Sequence, residues 1–231
     1  MRIDDRLLAV AGLVPKNARV ADIGTDHAYL PIYLRTEGIA DSVIACDISS
    51  GPLDVAKKNI HKSGVSRVST RLCNGLEGIQ PNEVDTVVIA GMGGEMIAQI
   101  IADAEWLKSG EYTLILQPMS SAAQLRRFLC DNGFYVEAEH AVSSNRRIYS
   151  VMKAFYSGGA LKADPVFLCL GKLPENLTQQ AVLYIERQKK LISKRVKMIE
   201  TVERKKEEHS ILLGVLSEIE KILLRNDDSC R

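Results

Sequence analysis

The sequence predicts an α/β fold, with an open, mostly parallel β-sheet covered by helices on both faces and followed by a helical arm. Three observations lead to this prediction. Short apolar segments rich in β-branched residues alternate with amphipathic segments over the first two thirds of the chain. Two apolar segments near residues 140 and 150 then follow each other closely, as in an antiparallel hairpin at a sheet edge. Beyond residue 160 the apolar spacing changes to alternating fours and threes, which indicates packed helices.

Seven apolar runs account for the predicted sheet. The strands are expected at Val20–Ile23, Ser42–Cys46, Val68–Leu72, Val84–Ala90, Tyr112–Leu116, Tyr135–Ala141 and Ile148–Phe155. Amphipathic segments between them predict the helices, beginning with one over Leu7–Val14 that precedes the first strand. Gly91 to Gly94 and Gln117 to Met119 are expected to leave strands four and five as turns.

Composition limits the classes of protein. The chain has 231 residues, a formal net charge of +1 and 46% hydrophobic residues, enough for one domain with an appendage. Five cysteines show no CxxC spacing, so we expect reduced thiols and no metal site: Cys46, Cys73, Cys130, Cys169 and Cys230. We find no adequate signal peptide and no apolar run of about 20 residues that could cross a membrane. We therefore expect a cytoplasmic protein without membrane contact.

The stretch from Ala18 to Pro31, ARVADIGTDHAYLP, delivers a glycine turn to a helix N-terminus. This arrangement forms a ligand crevice at the carboxyl edge of a parallel sheet. Asp47, at the end of the second strand, has the position of an acid that contacts ribose hydroxyls in dinucleotide folds. The turn lacks the GxGxxG pattern, however, and Asp26 would repel a pyrophosphate. A carboxylate there favours a positively charged ligand such as S-adenosylmethionine over NAD.

The S-adenosylmethionine interpretation assigns a role to each strand end. Asp22 and Gly24 hold the methionine end, Asp47 takes the ribose hydroxyls, and Ile48 packs on the adenine. The complete predicted cofactor-binding set is Asp22, Gly24, Thr25, Asp26, His27, Asp47, Ile48, Asn74, Gly75 and Gly91. The residues after Gly91 would pass beside the transferable methyl and admit a second substrate, namely Met92, Gly93 and Gly94.

Five motifs of this chain together resemble the bacterial tRNA (adenine-22-N1)-methyltransferase family. They are DIGTDHAYLP, ACDIS, CNGL, AGMGG and LQPM, and the resemblance extends over almost the whole chain, including the C-terminal arm. It implies a Rossmann-like class I methyltransferase domain with S-adenosylmethionine as the donor. It also implies tRNA as the partner and ring nitrogen 1 of the adenine at position 22 as the target.

The residues are compatible with methylation of a ring nitrogen. Enzymes that methylate an exocyclic amine commonly carry an (Asn/Asp)-Pro-Pro-aromatic loop after strand four, and GMGG offers none of that side-chain chemistry. Ring nitrogen 1 already holds a lone pair in the ring plane, so its attack needs alignment more than proton removal. We expect Asp26 or His27 to stabilise the cationic ring or accept a later proton, and Tyr29 to stack on a flipped base. A role for His27 in binding the cofactor alone stays open.

We expect residues 1–160 to form the catalytic domain and residues 161–231 the arm. The arm repeat predicts an antiparallel coiled coil of two helices with a turn near Glu208 to Ser210; one long dimerising helix is the alternative. The repeat runs through Ala181, Ile185, Gln188, Ile192, Arg195, Ile199 and Val202, and resumes at Leu212, Leu216, Ile219 and Leu223.

Positive charge is concentrated on this arm. From Arg187 to Lys206 there are nine basic and only two acidic residues, a one-sided charge that predicts contact with RNA phosphates. The predicted contacts are Lys189, Lys190, Lys194, Arg195 and Lys197. Two basic pairs in the first domain would extend the same surface, namely Arg126 with Arg127 and Arg146 with Arg147.

Two other functions stay open from the residues. One is a methyltransferase that acts on another RNA base or on a protein. The other is a non-catalytic S-adenosylmethionine-binding scaffold protein whose coiled coil recruits a partner. In each case we expect a monomer or a weak homodimer.

Overall fold

The computed structural model describes residues 3–229, which form seven strands and eight α-helices. The strands are β1 (Ala18–Ile23), β2 (Ala40–Asp47), β3 (Val68–Leu72), β4 (Thr86–Gly93), β5 (Thr113–Ser120), β6 (Phe134–Ser144) and β7 (Arg147–Tyr156). The helices are α1 (Asp5–Ala11), α2 (Tyr29–Thr36), α3 (Ser50–Ser63), α4 (Gly94–Ala102), α5 (Ala122–Asp131), α6 (Pro165–Leu170), α7 (Gln179–Ile199) and α8 (Lys206–Ser229).

All seven strands form one sheet in the order β3-β2-β1-β4-β5-β7-β6. The pairs among β1 to β5 are parallel, so these strands end at one edge of the sheet. Helices cover both faces, which is why β4 is a continuous apolar run: Val87, Val88 and Ile89 are fully buried. The predicted mostly parallel α/β sheet is confirmed.

The predicted hairpin of β6 and β7 is also confirmed. β7 lies between β5 and β6 and runs antiparallel to both, with Leu116 of β5 opposite Met152 of β7. Since the two strands run in opposite directions, β7 begins beside the carboxyl end of β5. The hairpin turn at Asn145 and Arg146 therefore reaches the edge at which β1 to β5 end.

Strands four and five are longer than the sequence predicts. The expected turns at Gly91–Gly94 and Gln117–Met119 are wrong, because Ala90 pairs with Gln117, Met92 with Pro118 and Gly93 with Ser120. The pairing register shifts on both sides of Met92, so the two strand ends are bulged rather than regular. Glycine and proline mark these bulges, which is why sequence reasoning ended the strands too early.

The arm contains two antiparallel helices, as predicted, within one chain. Lys189 pairs with Glu220 at 2.9 Å and Arg195 pairs with Glu208 at 2.8 Å, so position along α7 rises as position along α8 falls. The alternative of one long helix is therefore wrong. The predicted turn at Glu208–Ser210 is also wrong, since these residues lie in the first turns of α8 and the chain reverses between Ile199 and Lys206.

A buried ion pair connects the arm to the sheet. Arg126 of α5 is fully buried and donates to Glu139 of β6 at 2.5 Å. The same guanidinium donates to the Leu168 carbonyl at 2.8 Å, near the end of α6, and to the Tyr184 hydroxyl of α7 at 3.3 Å. The prediction that Arg126 extends an RNA-binding surface is wrong. A guanidinium enclosed in this way is part of the junction between the two regions.

Candidate functional site

The turn after β1 is held in a conformation that its sequence makes possible. Gly24, Asp26 and Ala28 all have positive φ, at 73°, 53° and 58°. The backbone N–H groups of Gly24 and Thr25 both donate to the Cys46 carbonyl of β2, at 2.9 and 2.8 Å. These bonds fix the turn against the end of the neighbouring strand, so its side chains and amides keep defined positions.

Asp22 is a buried carboxyl group at the end of β1, and its side chain lines a cavity. Burial raises the pKa of Asp22 from its ordinary value of 3.8 to about 6; the Thr25 hydroxyl opposes the rise, the nearby Asp47 carboxylate adds to it, and Arg6 opposes it. An ionised carboxylate in this position is stabilised by a positively charged ligand. The strand end is therefore suited to bind a cation.

The cavity has a volume of about 360 Å³ and contains five predicted site residues. These are Asp22, Gly24, Thr25, Asp26 and Tyr29. The Thr25 hydroxyl is buried beside the Asp22 carboxyl group, and its interaction with that group opposes the rise in the pKa of Asp22.

Asp47 lies at the end of β2, beside the turn. Its carboxylate accepts from the backbone N–H of Asp26 at 3.2 Å and from that of Ser49 at 3.0 Å. A carboxylate has about four acceptor positions, so two stay available for hydroxyl groups of a ligand. Ile48 follows with 68% of its surface exposed, an apolar side chain free to pack against a flat ring.

Asn74 and Gly75 follow β3 at the same edge of the sheet. Asn74 is exposed and donates to Glu77 at 3.2 Å, while Gly75 has a φ of 54° and packs against Ile100. The Cys73 N–H donates to the Asp47 carbonyl at 3.0 Å, so this segment is tied to the end of β2. Both residues lie outside the lining of the 360 Å³ cavity.

The glycine-rich end of β4 contacts two neighbouring segments, the Gly24 turn and the start of α5. Met92 reaches the Gly24 turn, so β1 and β4 are in contact beside the cavity. Gly94 is buried at the start of α4, and a Cβ there would lie 2.5 Å from the Ser121 carbonyl. The close approach of the two backbones explains why position 94 is a glycine. Gly91 is exposed instead, and its φ of 83° favours glycine for conformational reasons.

His27 and Tyr29 form an aromatic pair at the start of α2. Their ring centroids lie 5.6 Å apart in an edge-to-face arrangement, and His27 Nε2 lies 3.4 Å from an Asp26 carboxylate oxygen. Tyr29 lines the cavity and is 40% exposed. Asn59 donates to the His27 carbonyl at 3.0 Å and holds the segment in place. His27 thus contacts both Asp26 and Tyr29; these two line the cavity, whereas His27 lies outside its lining.

Sequence reasoning missed the contribution of α1 to this cavity. Ile3, Asp4, Arg6 and Leu7 line it, together with Leu30 and Ala90. It also missed Gln117, a fully buried side chain of β5 that contacts Arg6. No local signal could have found this contact, because 111 positions separate the two residues.

The basic residues of the arm fall into two groups. Lys189 and Arg195 form the ion pairs between α7 and α8, whereas Lys190, Lys194 and Lys197 are exposed and make no ion pair with the described residues. The three exposed lysines recur every three or four residues, so they lie on one face of α7. Arg187 continues this face and donates to the Ile148 carbonyl of β7 at 2.9 Å. The exposed face therefore begins beside the carboxyl edge of the sheet.

The described residues contain no cluster of three or more His, Cys, Asp or Glu side chains that could hold a metal ion. The cysteines Cys46, Cys73, Cys130 and Cys169 are free, and Cys230 lies outside the described residues. Within residues 3–229, no helix is both long enough and apolar enough to cross a membrane.

The fold is that of the class I methyltransferases. A family model described as a methyltransferase domain matches residues 3–152. The tRNA (adenine(22)-N(1))-methyltransferase of Bacillus subtilis (strain 168) is 36% identical over 174 residues, 75% of this chain and 73% of that protein. This chain belongs to the tRNA (adenine(22)-N(1))-methyltransferase family.

Two solved structures are similar to this one over nearly the whole chain. The structure of the B. subtilis M1A22 tRNA methyltransferase TrmK has a TM-score of 0.81 and 28% identity, covering 96% of this chain and 98% of that chain. M. capricolum TrmK in complex with the natural cofactor product S-adenosyl-homocysteine has a TM-score of 0.76 and 25% identity, covering 96% and 97%. The similarity therefore includes the arm as well as the sheet.

We predict that Asp22→Asn stabilises the ligand-free protein more at pH 8 than at pH 5. The pKa of Asp22 is higher in the folded protein, so the folded state loses stability relative to the unfolded state as pH rises from about 4 to about 6, and the full cost is present above that range. Asparagine removes this cost, which is at most about 3 kcal/mol. Thermal unfolding between pH 5 and pH 8 measures the difference in melting temperature.

The matched control for Asp22 is Asp54→Asn, on an exposed carboxylate of α3 that pairs with Lys57. Its melting temperature should follow that of the wild type at every pH. A gain for Asp22→Asn that is as large at pH 5 as at pH 8 would contradict the assignment of a buried, titrating carboxyl group.

Proposed function

We propose that this protein transfers the methyl group of S-adenosylmethionine to ring nitrogen 1 of adenine 22 in tRNA. The observation that carries the proposal is the buried Asp22 carboxylate beside a glycine turn, in a chain of the tRNA (adenine(22)-N(1))-methyltransferase family. A carboxylate at this strand end suits the ammonium of the donor and would repel the phosphates of a dinucleotide.

The residues present fit S-adenosylmethionine. Gly24 and Thr25 line the cavity beside Asp22. Asp22 would hold the ammonium and Asp47 the ribose hydroxyls, with Ile48 against the adenine. We assign His27, Asn74, Gly75 and Gly91 to the same site as flanking residues. When bound, the cofactor supplies an electrophilic methyl group on a sulfonium.

The substrate adenine needs alignment and charge stabilisation from the protein. The lone pair of ring nitrogen 1 forms the new bond to the methyl carbon, and the electrons of the broken carbon–sulfur bond go to sulfur. The ring then carries a positive charge, which the exposed Asp26 carboxylate stabilises. His27 lies beside this carboxylate and accepts a later proton, and Tyr29 offers a surface for the flipped base. Met92 and Gly93 border the path of the base.

We propose that residues 161–231 form the tRNA-binding arm of a catalytic domain at residues 1–160. Exposed Lys190, Lys194 and Lys197 would contact phosphates, and Arg146 and Arg147 are exposed in the hairpin turn at the same sheet edge. Lys189 and Arg195 are committed to ion pairs between the arm helices, which reduces their share in phosphate contact. Recognition would therefore depend on phosphates and tRNA shape, with one adenine read in the cavity.

The packing of the two arm helices also concerns the oligomeric state of the protein. The apolar seam of α7 is covered by α8 of the same chain, with Ile192 and Ile219 in one buried cluster. A seam satisfied within one chain supports a monomer or a weak homodimer. We assign the protein to the cytoplasm, where its proposed tRNA substrate is found.

We predict that the protein transfers labelled methyl from S-adenosylmethionine to unmodified bulk tRNA and that digestion of the product releases 1-methyladenosine. Replacing adenine 22 by guanine in one tRNA should abolish the signal, while replacing another D-arm adenine should leave it. Incorporation into a different nucleoside, or into protein, would favour the other methyltransferase functions. Binding of the cofactor without any transfer would favour the scaffold function.

We predict that Asp26→Asn and His27→Ala lower the rate of methyl transfer by about 100-fold or more, the usual effect of losing a charged or proton-accepting group. Both variants should keep their affinity for S-adenosylhomocysteine within a fewfold, measured by calorimetry. Glu37→Gln, on an exposed residue at the other end of α2, is the control. Near-normal turnover in both variants would show that neither residue is catalytic.

We predict that the triple variant Lys190→Gln, Lys194→Gln, Lys197→Gln binds tRNA about tenfold more weakly and with a smaller salt dependence, because fewer counterions are released. A charge-matched control replaces Lys16, Lys58 and Lys62, which are exposed away from the arm, by glutamine. Filter binding between 50 and 200 mM salt compares the two. Equal losses in both variants would indicate a general charge effect rather than an arm contact.

A further inference from the structure

Arg6 is the only positively charged residue among the described residues that line the 360 Å³ cavity. Three carboxyl groups line the same cavity, those of Asp4, Asp22 and Asp26. A ligand with positive charge alone would be repelled by Arg6. A ligand that also carries a negative group would have that group attracted by Arg6 and repelled by the three carboxylates.

The Arg6 guanidinium is fixed in place by a buried amide. Arg6 Nη1 donates to Gln117 Oε1 at 2.8 Å, and Gln117 is fully buried in β5. Gln117 Nε2 donates to the Pro118 carbonyl at 3.0 Å, which determines the orientation of the amide. Arg6 Nε lies 3.7 Å from an Asp4 carboxylate oxygen, and only 19% of the Arg6 side chain is exposed. The amide and Asp4 therefore hold the guanidinium before any ligand arrives.

Several Arg6 donors stay free in this arrangement. A guanidinium has five N–H groups, and Arg6 makes one hydrogen bond with the described residues. Planar guanidinium groups bind carboxylates through two parallel hydrogen bonds, a geometry that a lysine cannot reproduce. The free donors and the charge together make Arg6 suitable for a carboxylate.

We propose that Arg6 binds the α-carboxylate of the methionine end of S-adenosylmethionine, while Asp22 binds the α-ammonium. The inference rests on the proposed function, which makes S-adenosylmethionine the cofactor. These two groups share one carbon atom and carry opposite charges, so a site for them needs an acid and a base that face the same space. Asp22 and Arg6 come from β1 and α1 and line the same cavity. Helix α1 is thereby part of the cofactor site.

Gln117 is a positioning residue in this arrangement. Its Oε1 also accepts from the Gly91 N–H at 3.1 Å, so one amide oxygen holds both Arg6 and the bulged end of β4. Gly91 lies within reach of the same guanidinium, since a Cβ at this position would be 3.4 Å from Arg6 Nη1. A substitution at Gln117 should therefore change cofactor binding through Arg6, without any contact of its own.

Calorimetry with two ligands that differ in the methionine end tests the proposal. The probes are S-adenosylhomocysteine, which has the α-carboxylate, and 5′-methylthioadenosine, which lacks the entire amino-acid end. Arg6→Met should weaken S-adenosylhomocysteine binding by about 10- to 100-fold, the usual effect of losing a charged hydrogen bond, and leave methylthioadenosine binding unchanged. Arg6→Lys should recover part of the loss, and Gln117→Met should show a smaller, equally selective loss.

Arg67→Met is the matched control, because Arg67 is exposed and pairs with Asp41 away from the cavity. Equal weakening of both probes by Arg6→Met would overturn the proposal, since it would indicate damage to the whole site. Unchanged binding of both probes together with a raised KM for tRNA would also overturn it, in favour of an RNA contact. Selective loss in a protein that methylates no tRNA would support the Arg6 assignment while refuting the proposed function.

Discussion

The burial of the Asp22 carboxyl group at the end of β1 is the constraint on which the rest of the site depends. A carboxylate in this position raises the free energy of the folded protein, and its pKa is raised to about 6 as a result. The carboxyl group lies in a cavity that the adjoining turn and helix α1 also line. The proposed contact with the ammonium of the donor would give this burial a function.

The parallel arrangement of β1 to β5 brings separate sequence motifs to one edge of the sheet. Each motif follows a different strand, and the carboxyl ends of parallel strands meet at one edge. Backbone hydrogen bonds from Gly24 and Thr25 to Cys46, and from Cys73 to Asp47, join three of these ends directly. The insertion of β7 between β5 and β6 then brings the hairpin turn and the start of α7 to the same edge.

A second buried charge connects this edge to the arm. Arg126 and Glu139 satisfy each other in the interior, and Tyr184 of α7 completes the arginine's hydrogen bonds. Leaving either ion without its partner would be strongly unfavourable, so the pair specifies how α5, β6, α6 and α7 meet. The exposed lysines of α7 are consequently held in a defined position relative to the carboxyl edge of the sheet.

Local sequence patterns determined the strands, most helices, the glycine turn and the acids at the ends of β1 and β2, because apolar periodicity and turn chemistry act over a few residues. Only the tertiary structure decided that Arg126 is buried and that β4 and β5 continue through glycine and proline as bulges. It alone also showed that Arg6 lines the cavity and is held there by a hydrogen bond to Gln117. These outcomes depend on partners that are distant in the sequence. A charged residue has the same local pattern whether it faces solvent, an ion-pair partner or a ligand, and only packing distinguishes the three.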